Sequence, residues 1–475
     1  MPAGMVPRRR HEPYQYFLKA SLLLAMTIGW LLGAIELSAI AFHDASPSLA
    51  ARLISPALFQ VHGQSQILGW VGLFIMGISY QVVPRQRRVA IHASTMAYVV
   101  LALMVAGIVL RAISQPLAAA SVLFRGLTVL SALLELAGLG LFMGGLIKGR
   151  VMADSIQGPE RFSRAALQWF AVALLINLGT TVYLALQAGS VVPDWLDRPL
   201  IVVELFGFVT SMIFGVNARN LPLFMRVRPA SSDDLLAVLR LLPPSVALCA
   251  AGQAVSAISL GGGRMMAAAG WAGLLVIAGL YVRAVGLLGP RTRQIVTAGE
   301  SGWYEAYVVG AYAWLGLGLL LELLTSLAQL GRLGLPAEDL FLAGLHAVTI
   351  GFISMMIMGM AARIVPAFAA TRLHSRSLFV LTWWCLMLGT LLRVPAQALY
   401  SSTGGAIGPL LGLSGIVQLA GMMLFTWNLW RTLAGSVTDR AALLAPRSNA
   451  LQPPHVQQRG RASTDADDTL PLHLS

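Results

Sequence analysis

Two histidines stand at the mouths of otherwise apolar stretches, His62 in HGQSQILGWVGLFIMGISYQVVPR and His346 in HAVTIGFISMMIMGMAARIVP. Ionisable groups in membrane-spanning segments are costly, tend to face the bundle interior and are functional candidates by default. A neutral imidazole ligates haem iron, and two of them on facing helices make a six-coordinate centre suited to electron transfer rather than gas binding. The pattern therefore makes His62 and His346 candidate ligands of one haem, on helices that both run inward from the outer face. The competing reading of either ring is solvation by lipid headgroups. Placement in corresponding helices of a repeated sequence favours ligation. Arg111 and Arg393 occupy equivalent positions on the arginine-poor side, where a haem would present two propionates that need cations; snorkelling to lipid phosphate is their other use.

The remaining candidates carry weaker patterns. Glu204 is the acid inside a helix of the middle third and reads as a proton-relay or metal group, or as a satisfied buried carboxyl. His92 and His374 are equivalent to each other but begin their helices beside basic loops, so interfacial structure is expected ahead of ligation. Glu36 near the far end of the first helix is expected to be solvated or capping. Met355, Met356, Met358 and Met360 lack helical spacing and read as packing residues. The two cysteines, Cys249 and Cys385, lie apart inside apolar runs and offer no zinc motif, disulfide framework or covalent haem attachment.

What must position these residues is an internal repeat. At a fixed shift of 282 residues, Gly69 meets Gly351, Ile75-Met76-Gly77 meets Ile357-Met358-Gly359 and Val83-Pro84 meets Val365-Pro366. The same register pairs His92 with His374, Gly107 with Gly389, Arg111 with Arg393 and Gln115 with Gln397. His346 itself meets Gln64, a slip of two residues from His62. A weaker middle copy, 144 residues before the last, aligns Gly207-Phe208 with Gly351-Phe352, Gly215 with Gly359, Arg219 with Arg363 and Pro222 with Pro366. It has no histidine at either ligand-like position and reads as scaffold. Self-similarity at a fixed period sets the architecture.

The chain of 475 residues is 57% hydrophobic and 11% charged, with a mean hydropathy of +0.74. That is the composition of an all-α polytopic membrane protein embedded in a lipid bilayer. About twelve apolar runs approach the ~20 residues a spanning helix needs: 15–41, 61–83, 92–113, 126–147, 166–190, 199–221, 239–260, 264–287, 304–329, 341–363, 378–399 and 408–433. They group into three pseudo-symmetric four-helix units, 1–150 with His62, 151–290 as scaffold and 291–433 with His346, followed by a disordered cytoplasmic tail over 434–475. The first run is too long for a signal peptide and is expected to stay as a helix. The net charge of +13 collects in alternate loops, which is topology and not a nucleic-acid footprint, and places both termini in the cytoplasm of a bacterial inner membrane.

The quoted motifs resemble the haem–copper oxidase subunit I superfamily. His62-Gly63 with Phe74-Ile75-Met76-Gly77 and Val83-Pro84 is similar to its helix-two signature, and His346 with Ile357-Met358-Gly359 and Pro366 to helix ten. The resemblance implies twelve helices in three sets of four, with low-spin haem between helices two and ten. The chain departs where the family binds its second haem and partner metal: Gly344 replaces one histidine, and residues 199–260 contain none. Within the superfamily it is similar to the NnrS-like branch through His346-Ala347, Thr349, Gly351, Arg363 and Thr371-Arg372. That branch implies a haem protein, with copper as a further possible cofactor, associated with nitric oxide stress. The expectation is electron transfer or nitric oxide response, with a redox partner protein or quinol, and no autonomous oxidase or reductase activity. The alternative is a transporter of repeat architecture without haem.

Overall fold

The computed structural model describes residues 12–41, 53–87, 94–148, 158–291 and 301–435. Among them every regular element is helical, and twelve helices are long and apolar enough to cross a bilayer. They are α1 (Pro13–Ala41), α2 (Pro56–Val83), α3 (Thr95–Leu117), α4 (Val122–Leu146), α5 (Gly158–Gln187), α6 (Asp194–Met225), α7 (Ser232–Val255), α8 (Leu260–Ala284), α9 (Trp303–Gln329), α10 (Ala337–Ala369), α11 (Arg376–Ala398) and α12 (Gly408–Ala434). His92, the basic residues Arg8 to Arg10 and the tail beyond 435 lie outside the described residues.

Hydropathy places every span but clips the starts of several, α2, α5, α6, α7 and α10 among them. α6 starts at Asp194 instead of 199 and α10 at Ala337 instead of 341, because Asp194, Asp197, Glu338 and Asp339 lie in their first turns. Acidic groups there complement the positive end of the helix dipole. α6 and α10 then finish alike, turning left-handed at Arg226 (φ 56°) and Ala370 (φ 49°), the conformation that commonly closes a helix.

Neighbours in sequence pack side by side from α1 to α12, and α12 returns to α1. The ring closes on small residues: Gly412 and Gly415 of α12 lie against Ala41, Leu37 and Ala34 of α1. Inside the ring stand α2, α6 and α10. The buried share of their most apolar stretch is 61%, 89% and 67%, against 33–50% for the other nine described helices.

Each inner helix widens into a π-helical stretch, Ser65–Gly72 in α2, Val203–Thr210 in α6 and Ala347–Ser354 in α10. Such stretches shift the hydrogen-bond register to i→i+5 and recur at functional sites. Thr210 Oγ1 donates to Leu205 O (2.8 Å) and Ser354 Oγ to Thr349 O (2.9 Å), each reaching five residues back. The three stretches also touch one another in the centre of the bundle, where Trp70 Nε1 on α2 donates to Ser354 Oγ on α10 at 3.3 Å.

Lipid tails are as apolar as leucine, so helices in a bilayer associate through close packing over small residues. One such contact recurs three times. A Cβ at Gly77 would come 2.7 Å from Phe17 Cβ, at Gly215 3.0 Å from Phe162 Cβ, and at Gly359 2.8 Å from Tyr307 Cβ.

Candidate functional site

α1 is shaped to receive His62. It carries its own π-helical stretch, Ala25–Leu31, and the Gly29 carbonyl inside it meets His62 Nδ1 at 2.9 Å. One turn on, Gly33 has no side chain where a Cβ would stand 2.6 Å from His62 Cε1. A carbonyl can only accept, so Nδ1 carries the ring proton and Nε2 keeps its lone pair.

His346 ends in the same state by another route. Its Nδ1 meets the carbonyl of Leu342, one turn back on α10, at 2.7 Å. Its Nε2 is 3.1 Å from Nη2 of Arg393 on α11, which can only donate. Arg393 is in electrostatic reach of both rings, and the rings of each other. Two imidazoles held by backbone carbonyls and presenting Nε2 form the orientation seen in metal-ligating histidines, whose second nitrogen bonds a fixed acceptor. The pair suits haem, where porphyrin supplies the remaining four donors.

Arg393 is 6% exposed, and its Nε and Nη1 find no hydrogen-bond partner among the described residues. Glu36 shares its surroundings. The structure corrects the sequence expectation for this acid: instead of lying solvated at an interface it is 3% exposed, with Oε1 lacking a partner among the described residues. Gly29, Gly33 and Glu36 follow one another at i, i+4 and i+7 on one face of α1, and that spacing was a readable signal. A buried guanidinium with two unused donors beside two imidazoles is a place for an anionic group, and a haem propionate fits it.

Arg111 lies in a different polar network. It donates from Nε to Gln115 Oε1 (2.6 Å) and from Nη1 to Asn177 Oδ1 (3.3 Å), and Asn177 donates on to Glu135 Oε2 (2.8 Å). Gln115 continues to Gln60 Oε1 at 3.0 Å. Gln60 and His62 are two residues apart on α2 and so point to opposite sides of it. Glu204, 1% exposed within the π-helical stretch of α6, belongs with Arg111 and not with the histidines. His374 is exposed in the α10–α11 connection, where its backbone N–H caps Thr432 Oγ1. The structure thus joins His62, His346 and Arg393 with Glu36, and separates them from Arg111, Glu204 and His374.

The chain length that carries this arrangement is also the length over which relationship is found. No curated protein matches the sequence. The family model described as NnrS protein matches residues 12–436. A match over that span covers the whole helical bundle, and the chain belongs to the NnrS family.

Proposed function

We propose that the chain is a membrane b-type haem protein whose iron is ligated by His62 and His346, and that it serves electron transfer or the response to nitric oxide stress. The observation that carries this reading is the matched tautomer of the two rings, Nδ1 pinned to Gly29 O and Leu342 O, which makes Nε2 the acceptor nitrogen of each; on His346 it takes an Arg393 N–H that iron would replace. Haem in such a site supplies one-electron redox chemistry. The chain's own part is to hold the rings in orientation and to place Arg393 Nε and Nη1 at a propionate. Arg111, the second candidate for that contact, already spends its Nε and Nη1 on Gln115 and Asn177, so the propionate role goes to Arg393.

The proposal includes an inner-membrane location with cytoplasmic termini, and a redox partner protein or quinol as electron donor. It also includes three related four-helix units, supported by the recurring glycine contacts at Gly77, Gly215 and Gly359. With His374 exposed at the far end of α10, the described residues offer no third imidazole beside the pair, and turnover of oxygen is not expected. A transporter without haem would be colourless. The test is the visible spectrum of the purified protein, oxidised and reduced. Sharp reduced-state bands are expected in the native chain and are lost in His62→Ala and in His346→Ala; native-like spectra in both variants would sink the assignment.

A further inference from the structure

Another buried acid faces a cavity on the other side of α10. Glu322 on α9 is 3% exposed, and its Oε2 finds no hydrogen-bond partner among the described residues. It lines a small space together with Arg198 of α6, Gln253 of α7, Trp271 of α8, and Phe341 and Val348 of α10. Trp271 is 2% exposed, and its Nε1 likewise lacks a partner. The space admits about one water molecule, and a buried water needs two to four polar partners. Glu322 as acceptor, Trp271 as donor and the Gln253 amide meet that need.

The cavity has a polar roof. Arg198 Nη2 lies 2.7 Å from both carboxylate oxygens of Glu338 and 3.1 Å from Asp194 Oδ2. Arg198 is 10% exposed at its side chain, whereas Glu338 and Asp194 are 66% and 77% exposed. This ion pair therefore separates the cavity from the polar surface at the end of α10 where the helix begins. It also settles the charge account. The other ionisable groups near Glu322 are Arg198, Glu338 and the Cys249 thiol of α7. Two carboxylates already share the one cation, so an ionised Glu322 would be a third. An uncompensated carboxylate in the hydrocarbon layer is expensive, and a proton removes the charge.

We propose that Glu322 is a proton-binding site of this protein, exchanging its proton with the surface through one buried water and the Arg198–Glu338 pair. In the exchange the Glu322 O–H bond breaks, the water accepts the proton and passes it toward Glu338, and the return step reverses this; nothing is oxidised or reduced. The Trp271 N–H and the Arg198 charge stabilise the transient anion. Gly344 explains how α9 brings the acid so close to α10, since a Cβ there would stand 2.9 Å from Glu322 Oε1. Gly344 precedes His346 by two residues, which puts the site on the face of α10 away from that imidazole, and it does not depend on what His346 binds.

The experiment is infrared spectroscopy of the full-length protein in lipid nanodiscs, following the carboxylic-acid C=O band as water is replaced by deuterium oxide. A deuterium-sensitive band is expected that disappears in Glu322→Gln and moves in Glu322→Asp, each compared with the native protein so that the other buried acids cancel. Glu338→Gln, which removes the proton acceptor at the outer end of the route, is expected to slow exchange of that band several-fold, and Trp271→Phe to change its frequency. A native spectrum without such a band, or one unchanged in Glu322→Gln, overturns the site. Exchange as fast in Glu338→Gln as in the native chain overturns the route. If Glu322→Gln does not fold, the shift in Glu322→Asp decides.

Discussion

Arg111 and Arg393 occupy equivalent sequence positions, yet one spends its donors on Gln115 and Asn177 while the other keeps two donors unused beside the histidines. The difference predicts different phenotypes. Arg393→Gln is expected to shift the haem midpoint potential while keeping the low-spin bands, measured by redox titration; an unchanged potential argues against propionate contact. The sign is left to the measurement, because a propionate that loses its partner can take up a proton and offset the change. Arg111→Gln is expected to leave the spectrum alone and lower thermal stability, since Gln115 and Asn177 lose a buried donor, at a cost of about 1–3 kcal/mol. A second prediction tests the cradle on α1. Gly33→Val drives a side chain into His62 Cε1 and is expected to lose the low-spin bands without touching a ligand. Gly63→Ala, where an added Cβ meets nothing within 4 Å, is expected to keep them.

At the scale of elements, α2, α6 and α10 share a π-helical stretch and a glycine packed on the preceding helix. Phe17, Phe162 and Tyr307, which receive Gly77, Gly215 and Gly359, follow at equal steps of 145 residues. The contact leaves no room for a branched side chain, and overpacking typically costs about 1–3 kcal/mol. Gly359→Val is therefore expected to lower the thermal unfolding temperature in detergent. Gly140→Ala on α4 makes no new contact and is expected to be neutral or slightly stabilising. Equal stability of the two variants would remove the argument that these glycines set the helix spacing.

At the scale of the molecule, three buried helices inside a ring of nine among those described place the candidate site away from lipid and near one end of the bundle. Orientation can be measured directly. Gly334 is exposed in the α9–α10 connection and Arg372 in the α10–α11 connection, so the two stand at opposite ends of α10. In a background lacking Cys249 and Cys385, Gly334→Cys is expected to react with an impermeant maleimide on intact cells, and Arg372→Cys only after lysis. The opposite pattern would reverse the orientation read from the basic loops.

The number and placement of the spans were legible because a hydrocarbon layer about 30 Å thick demands runs of about 20 apolar residues whatever their partners. The repeat was legible for a similar reason, since shared His, Arg, Gln and Pro in one register survive a restricted alphabet. Neither pattern reveals which side chains meet. The burial of Glu36 depends on α1 closing against α12 and laying Gly29 and Gly33 over His62. The divergence of Arg111 from Arg393 depends on Asn177, a residue of α5 whose sequence distance of 66 carries no local signal. Glu322 lies in an apolar run, and its cavity draws on five helices. Hydropathy and periodicity act along one helix and so could be read from the chain. Hydrogen-bond satisfaction is settled between helices, and only the tertiary structure decided it.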